Sequence, residues 1–228
     1  MNSSKIFIVV PVFNEATVIE QTLRDLSTLP YNIIIVDDGS SDEIKNIVRN
    51  YPVIFIGHAV NLGQGAALQT GMELAKKMNA EIVVHFDADG QHAAADINKL
   101  IEPIVNDECD IVFGSRFLNN QPSQNIPFVR KIVLQIARYV NWLYTGILLS
   151  DAHNGLRALN KKAIDTIVIS ENKMAHASEI LYLTKKNNLR YKEVPVTITY
   201  TSYSQKKGQG ILNSINILIH LIFKKIDS

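Results

Sequence analysis

Hydrophobic and polar positions divide the chain into two unlike parts. In the first, short apolar runs at 6–10, 33–36, 53–56, 82–86 and 111–113 are rich in β-branched residues and bounded by turn residues. Runs of this length and composition predict parallel strands buried on both faces. Helical spacing fills the gaps: Ile19, Leu23 and Leu26; Ile44, Ile47 and Val48; Leu68, Met72 and Ala75; Ile97, Leu100, Ile101 and Ile104. Strands alternating with helices predict βαβ units, hence an open, mainly parallel sheet with helices on its faces. The second part begins with a polar stretch, 119–125, read as a loop. A long helix is predicted over 127–149, with Val129, Ile132, Val133, Ile136, Val140, Leu143 and Ile147 on its apolar face. Lys131, Gln135, Arg138 and Trp142 lie opposite. A helix over 175–186, strand material around Pro195 and an apolar segment at 211–223 complete the pattern. The expected organisation is 1–118 and 119–210 as two halves of one domain, with 211–228 as an apolar, basic helix.

In open α/β sheets ligands bind beyond the carboxyl ends of the strands. Four polar clusters stand there: Pro11-Val12-Phe13-Asn14-Glu15, Asp37-Asp38-Gly39-Ser40, Asn61-Leu62-Gly63-Gln64-Gly65 and Asp87-Ala88-Asp89-Gly90-Gln91-His92. All four should converge on one rim. In the fourth, strand alternation would point both carboxylates the same way, with Gln91 adding an amide oxygen. Hard oxygen ligands suit Mg²⁺ or Mn²⁺ shared with substrate phosphates. An acidic turn capping the next helix is the plain alternative. In the second cluster, one carboxylate can accept from a base N–H or a ribose hydroxyl, or simply cap a turn. The glycines at 63, 65 and 71 lack P-loop spacing, so close helix packing explains them better than a phosphate loop. His92 adjoins the fourth cluster and reads as a support behind the ligands or a cap, whereas His58, His85, His153, His176 and His220 show no ligand spacing.

Composition sharpens this picture. With 228 residues, 46% hydrophobic and 20% charged, the chain can bury a real core. A single cysteine, Cys109, excludes a disulfide framework and any Cys-rich metal site. The opening residues read as a strand and not as a signal peptide. No run of about 18 apolar residues predicts a spanning helix.

PVFNE, DDGSSD, NLGQGAALQTG and DADGQH, in this order, resemble the family 2 glycosyltransferases. Gly114-Ser115-Arg116 and Ser150-Asp151-Ala152-His153-Asn154-Gly155-Leu156-Arg157 narrow the resemblance to polyprenyl-phosphate sugar transferases of the dolichyl-phosphate mannose synthase type. It covers about residues 5–215. The resemblance implies a nucleotide-diphosphosugar transferase (GT-A) fold and an inverting transfer of a hexose from a UDP- or GDP-sugar to a polyprenyl phosphate. It implies that Pro11, Phe13 and Glu15 line the nucleotide pocket, with Asp38 and Asp37 at base or ribose. Asp87, Asp89 and Gln91 match the metal segment, with Asp89 closest to the diphosphate. Arg116 and Arg130 match positions that meet an acceptor or leaving phosphate. Asp151, Gly155 and Arg157 match the motif closing the acceptor side, and Glu179 a carboxylate facing the sugar. Many relatives carry Arg-x-x-Gly-x-Ser-Lys after the last strands. The corresponding stretch here lacks the arginine, leaving Lys206 and Lys207 to supply charge.

The chemistry is coherent without the family. A nucleoside diphosphate leaves well once a divalent ion and arginines neutralise it. An acceptor phosphate is already anionic, whereas a saccharide hydroxyl needs a base, for which Asp151 or Glu179 are the candidates. Transfer to a saccharide hydroxyl, and a non-catalytic nucleotide-sugar-binding protein, are the competing readings.

The net charge of +1 hides an asymmetry. Residues 1–155 hold 11 Lys and Arg against 17 Asp and Glu, and residues 156–228 hold 12 against 5. A basic second part suits a lipid phosphate, and Trp142 with its basic neighbours suits a headgroup interface. Peripheral attachment at the cytoplasmic face of a membrane is the expectation, with a homo-oligomer or membrane-protein partner possible and no nucleic acid. Larger relatives append transmembrane helices; none is expected here.

Overall fold

The computed structural model describes residues 3–118, 138, 139, 141–152 and 154–199. One seven-stranded sheet organises them, built from β1 (Ile6–Val12), β2 (Asn32–Asp37), β3 (Ile54–Gly57), β4 (Ile82–His85), β5 (Ile111–Ser115), β6 (Arg157–Asn160) and β7 (Tyr191–Pro195). Their order is β3-β2-β1-β4-β6-β5-β7. All neighbours run parallel except β6, which is antiparallel to both β4 and β5. The predicted runs became strands because every residue of β1, β4 and β5 is buried, so both faces need apolar side chains. Strand β6 has no such signature: its four residues, Arg-Ala-Leu-Asn, contain nothing β-branched.

Alternation sends Ile6, Ile8, Val10 and Val12 into one layer, where α1 (Ile19–Leu26), α2 (Ile44–Val48) and α4 (Ile97–Val105) pack. Phe7 and Val9 enter the other, against α3 (Gln64–Lys77), α5 (Lys161–Thr166) and α6 (His176–Lys186). Gly71 allows the close approach expected of it, since a Cβ there would lie 2.3 Å from Val9 Cγ1. Ala163 with Ile164 of α5, and Ile180 with Leu181 of α6, complete that second layer.

The long helix predicted over 127–149 ends earlier. Residues 141–145 are helical, Gly146 turns the backbone to φ +74°, and its N–H closes on the Trp142 carbonyl at 2.7 Å. Ile147 and Leu149 are buried beyond that end. Leu143, placed on the apolar face from its spacing, is 66% exposed, while Asn141 and Thr145 are buried. Burial of Thr145 is offset by its Oγ donating to the Asn141 backbone carbonyl at 2.8 Å. Residues 119–137 and 200–228 lie outside the described residues, and with them Arg130, Lys206, Lys207 and the apolar segment 211–223. Among the described residues, no helix is long and apolar enough to cross a membrane.

Candidate active site

Strand order reverses between β1 and β4. The chain steps from β1 outward to β2 and β3, then returns to lay β4 on β1's other side. The β1–β4 ladder ends at Val9–His85, whereas β1 continues beside β2 to Val12–Asp37. Pro11 is thus tolerated in a central strand, because its missing N–H falls past the end of the β4 ladder. The two chains diverge there, leaving the crevice at which open α/β sheets bind ligands.

Polar clusters surround this crevice, each bonded to the next. Asn14 N donates to Ser40 Oγ, and Ser41 N donates to Asn14 Oδ1, both at 2.9 Å. Ala16 N donates to Asp42 Oδ2 at 2.8 Å. The first two clusters are therefore interlocked. Pro11 and Glu15 are buried and Phe13 is exposed at the rim. Asp38 joins the second cluster to the third: Leu62 N (3.0 Å) and His58 Nδ1 (2.8 Å) donate to its Oδ1, and Gly63 N (2.7 Å) to its Oδ2. His58 continues to Thr70 Oγ at 2.9 Å. Asp38, expected at base or ribose, is thus buried and engaged as a tie between loops. Asp37 is half-buried and accepts one bond, from Ser40 N.

The start of α3 carries no phosphate loop. Gly63 N is held by Asp38, and Gly65 N and Ala66 N donate to the Asn172 carbonyl at 2.8 and 3.3 Å. The third cluster contributes a side chain instead: Gln64 Nε2 donates to Asp87 Oδ1 at 2.8 Å.

The fourth cluster differs from its sequence reading. The chain is not extended through it but turns at Ala88–Gly90, with Gly90 at φ +74°. Strand alternation therefore does not set the two carboxylates. Asp89 Oδ1 accepts from Gln91 N at 3.0 Å, which closes the turn. Thr22 of α1 donates to the Ala88 carbonyl at 3.2 Å and fixes the peptide between the aspartates. Gln91 is tied through its backbone, its carbonyl accepting from Thr199 N at 2.9 Å. Asp87 Oδ2 accepts from His92 Nε2 at 3.2 Å.

Behind Asp87 lies a buried polar group that sequence spacing did not reveal. Arg157 pairs with His85 across the β6–β4 ladder, and both are buried with His176. Arg157 Nη2 donates to the Asn154 carbonyl at 3.1 Å and Nε to that of Gly155 at 3.3 Å. Burial pushes the Arg157 guanidinium down to about 10, opposed by the Asp87 charge. Burial and then the Arg157 charge push His85 well below its ordinary value and His176 down to about 4. Burial would raise the Asp87 carboxyl, but the His92 hydrogen bond and the charges of His92, Arg157 and His176 outweigh it and leave it below the usual range. Asp87 is therefore a carboxylate at neutral pH, with 26% of its side chain exposed.

This donor chemistry fits a divalent ion: Asp87 and Asp89 offer hard oxygen at the crevice. Among the described residues no group of three or more His, Cys, Asp and Glu side chains gathers for a metal. Two carboxylates match an ion shared with a ligand's phosphates better than a cage of protein ligands.

Past the end of β5, Arg116 Nε donates to Asp151 Oδ2 at 2.6 Å, Nη2 to Oδ1 at 3.3 Å and the Arg116 N–H to Oδ2 at 3.2 Å. Glu193 of β7, which sequence reading missed, accepts from Ser150 N (2.8 Å) and Ser150 Oγ (2.7 Å) and so anchors this loop. Glu179 is engaged within its own part of the chain. Its carboxylate accepts from Ser170 N, Ser170 Oγ and Glu171 N and clamps the loop before α6.

Comparison with known proteins agrees with this geometry. The glycosyl transferase family 2 model matches residues 7–168. The UDP-N-acetylglucosamine–dolichyl-phosphate N-acetylglucosaminyltransferase of Methanococcus voltae is 36% identical over 99% of this chain and 98% of its own length. The dolichol-phosphate mannosyltransferase of Pyrococcus furiosus is 29% identical over 90% of this chain and 60% of its own length. Among solved structures, glucosyl-3-phosphoglycerate synthase of Mycobacterium tuberculosis, crystallised with Mn²⁺, UDP and glucosyl-3-phosphoglycerate, superposes with a TM-score of 0.69. It is 17% identical, over 96% of this chain and 80% of its own length. The chain belongs to glycosyl transferase family 2, and its mixed seven-stranded sheet is the GT-A glycosyltransferase fold.

Proposed function

We propose that this glycosyltransferase moves a hexose, with inversion, from a UDP- or GDP-sugar to a polyprenyl phosphate at the cytoplasmic face of a membrane, using Mg²⁺ or Mn²⁺. The observation that carries the choice of acceptor is the state of the two carboxylates a saccharide acceptor would need. Asp151 is occupied by three N–H groups of Arg116, and Glu179 by the Ser170–Glu171 loop. Neither is placed to take a proton from a hydroxyl. An acceptor phosphate needs no such transfer: one of its oxygens bonds to the sugar's anomeric carbon as the bond to the diphosphate breaks. The full-length likeness to the Methanococcus voltae enzyme supports the same acceptor class.

In this reading Asp87 and Asp89 hold the divalent ion, which when bound supplies positive charge to the leaving diphosphate. Phe13 and Asp37 meet the nucleoside, Asp38 having been spent on its own loops. Arg116, oriented by Asp151, meets the acceptor phosphate, Arg130 keeps the phosphate-binding role its sequence position implies, and Arg157 sustains the charge balance beneath Asp87. The half at 1–118 serves the donor and 119–210 the acceptor, with 211–228 and Trp142 at the lipid surface.

The test is transfer of label from UDP- and GDP-hexoses, with Mn²⁺ or Mg²⁺, to a short polyprenyl phosphate. The expected product partitions into organic solvent and forms at least ~10³-fold more slowly with Asp89→Asn. Label passing to a saccharide and never to the lipid would reject the acceptor assignment. Mn²⁺-dependent nucleotide binding without any transfer would favour the non-catalytic reading.

A further inference from the structure

Asp87 is held from three directions by groups that lie far apart in the chain. Gln64, the first residue of α3, donates to Oδ1 at 2.8 Å. His92 donates to Oδ2 at 3.2 Å; its Nε2 carries the proton in this contact, since a carboxylate only accepts. The third side is Gly155, just ahead of β6, where a Cβ would stand 2.0 Å from Asp87 Oδ2 and 2.7 Å from Cγ. His92 is itself fixed, with its ring edge-on to Phe86 at 5.6 Å between centroids and its backbone bridged to Ile198.

We propose that Gln64 and His92 are positioning residues for Asp87, clamping its carboxylate against the Gly155 backbone before an ion arrives. The proposal rests on Asp87 being a metal ligand, as in the function proposed above. Each carboxylate oxygen has about two lone-pair sites and receives one of these donors, which leaves capacity on both for a cation. Gln64 orients without adding a competing positive charge at the ligand, which a lysine at the same place would do. The arrangement also explains why the third strand-end cluster stands at the rim although it forms no phosphate loop. The N–H groups of Leu62 and Gly63 are consumed by Asp38 and that of Gly65 by Asn172, while the Gln64 side chain serves the neighbouring cluster. Supports of this kind change metal affinity by roughly 10–100-fold when removed.

The experiment titrates Mn²⁺ in the presence of UDP, and of GDP in parallel, reading free Mn²⁺ by electron paramagnetic resonance. Gln64→Leu and His92→Phe should each raise the Mn²⁺ dissociation constant roughly 10–100-fold, with melting temperatures of the metal-free proteins near wild type. His92→Gln, whose amide N–H can replace the ring N–H, should recover most of the affinity. Gln64→Met carries the same expectation as Gln64→Leu if the latter does not fold. If Asp87→Asn loses Mn²⁺ while Gln64→Leu and His92→Phe bind it like wild type, the clamp is rejected and the ligand reading survives. If Asp87→Asn binds Mn²⁺ like wild type, or wild type binds none beside either nucleotide, the ligand reading fails and the clamp with it.

Discussion

Asp110 and Asp87 sit on opposite rims of one sheet, the first just before β5 and the second two residues after β4, a strand parallel to β5. Four donors meet Asp110: Arg190 N at 2.8 Å, Arg190 Nη2 at 3.2 Å, Lys162 Nζ at 3.2 Å and Asn160 Nδ2 at 3.0 Å. They come from the start of β7, the end of β6 and α5, so one carboxylate ties the second part of the chain to the first. Around Asp87 the accounting is incomplete. Both ring nitrogens of His85, Nδ1 of His92 and Nη1 of Arg157 are buried without a hydrogen-bond partner among the described residues. Buried polar groups are rarely left unpaired in a region whose task is stability. The amino-terminal rim is a fastening, whereas the carboxyl-terminal rim keeps unspent hydrogen-bonding capacity at the ligand crevice.

The sharpest way to break this comparison is to neutralise one carboxylate on each rim. Asp89→Asn should lower transfer at least ~10³-fold while leaving the melting temperature close to wild type. Asp110→Asn should do the reverse, costing about 2 kcal/mol and lowering the melting temperature by roughly 4–8 °C, with activity per folded molecule retained. Calorimetry beside the lipid-transfer assay separates the two. Equal loss of stability in both variants would remove the distinction.

A smaller effect comes from adding one methyl group at either of two glycines. At Gly155 a Cβ would strike the Asp87 carboxylate, and at Gly71 it would lie 2.3 Å from Val9 Cγ1 within the core. Gly155→Ala should reduce transfer by about 10²-fold, because a displacement near 1 Å at a site costs that much. Gly71→Ala should cost about 1–3 kcal/mol of stability and leave activity per folded molecule unchanged. Urea denaturation and initial rates on the same preparations decide between these patterns.

The sequence made the fastening and the crevice unequally visible. Strands β1, β2, β4 and β5 were legible because burial on both faces demands apolar, β-branched runs, and the half-buried edge strand β3 was legible from its Ile-Phe-Ile run alone. Strand β6 was not, since a short strand opening on a buried arginine shows no period. Its antiparallel insertion beside β4 brings Arg157 next to His85 and Gly155 against Asp87. The four rim clusters were legible from composition at the strand ends, but the bonds between them were not. Gln64 and Asp87 meet only because α3 begins beside the end of β4. Asp38 read as a ligand group because a carboxylate in a turn looks the same whether it faces a nucleotide or its own loops. Apart from His92, which adjoins the fourth cluster, the histidines carried no signal in their spacing, yet His58 and His176 also make polar contacts and His85 is buried beside Arg157.

The least drastic contrast is in acid. His176, on the crevice side, is held down to about 4 by burial and then by the Arg157 charge, whereas an unfolded histidine titrates near 6.5. Below pH 6.5 the unfolded chain takes a proton that the native chain refuses, so stability falls from there toward pH 4, and His85 acts in the same sense. Asp110 responds later. Burial would raise its carboxyl, but Arg190, Lys162 and Asn160 bring it from 3.8 to about 2. Its stabilisation, on the order of 2 kcal/mol, is present above pH ~4 and lost as the pH falls toward 2. Urea titrations from pH 7 to pH 2 should therefore show two successive losses. His176→Gln should make the first shallower and spare the second, and Asp110→Asn should remove the second while sparing the first. A His176→Gln protein with the wild-type slope between pH 6.5 and 4 would mean that the crevice histidine is not kept neutral by its surroundings. The two rims would then not differ in what they demand of their charges.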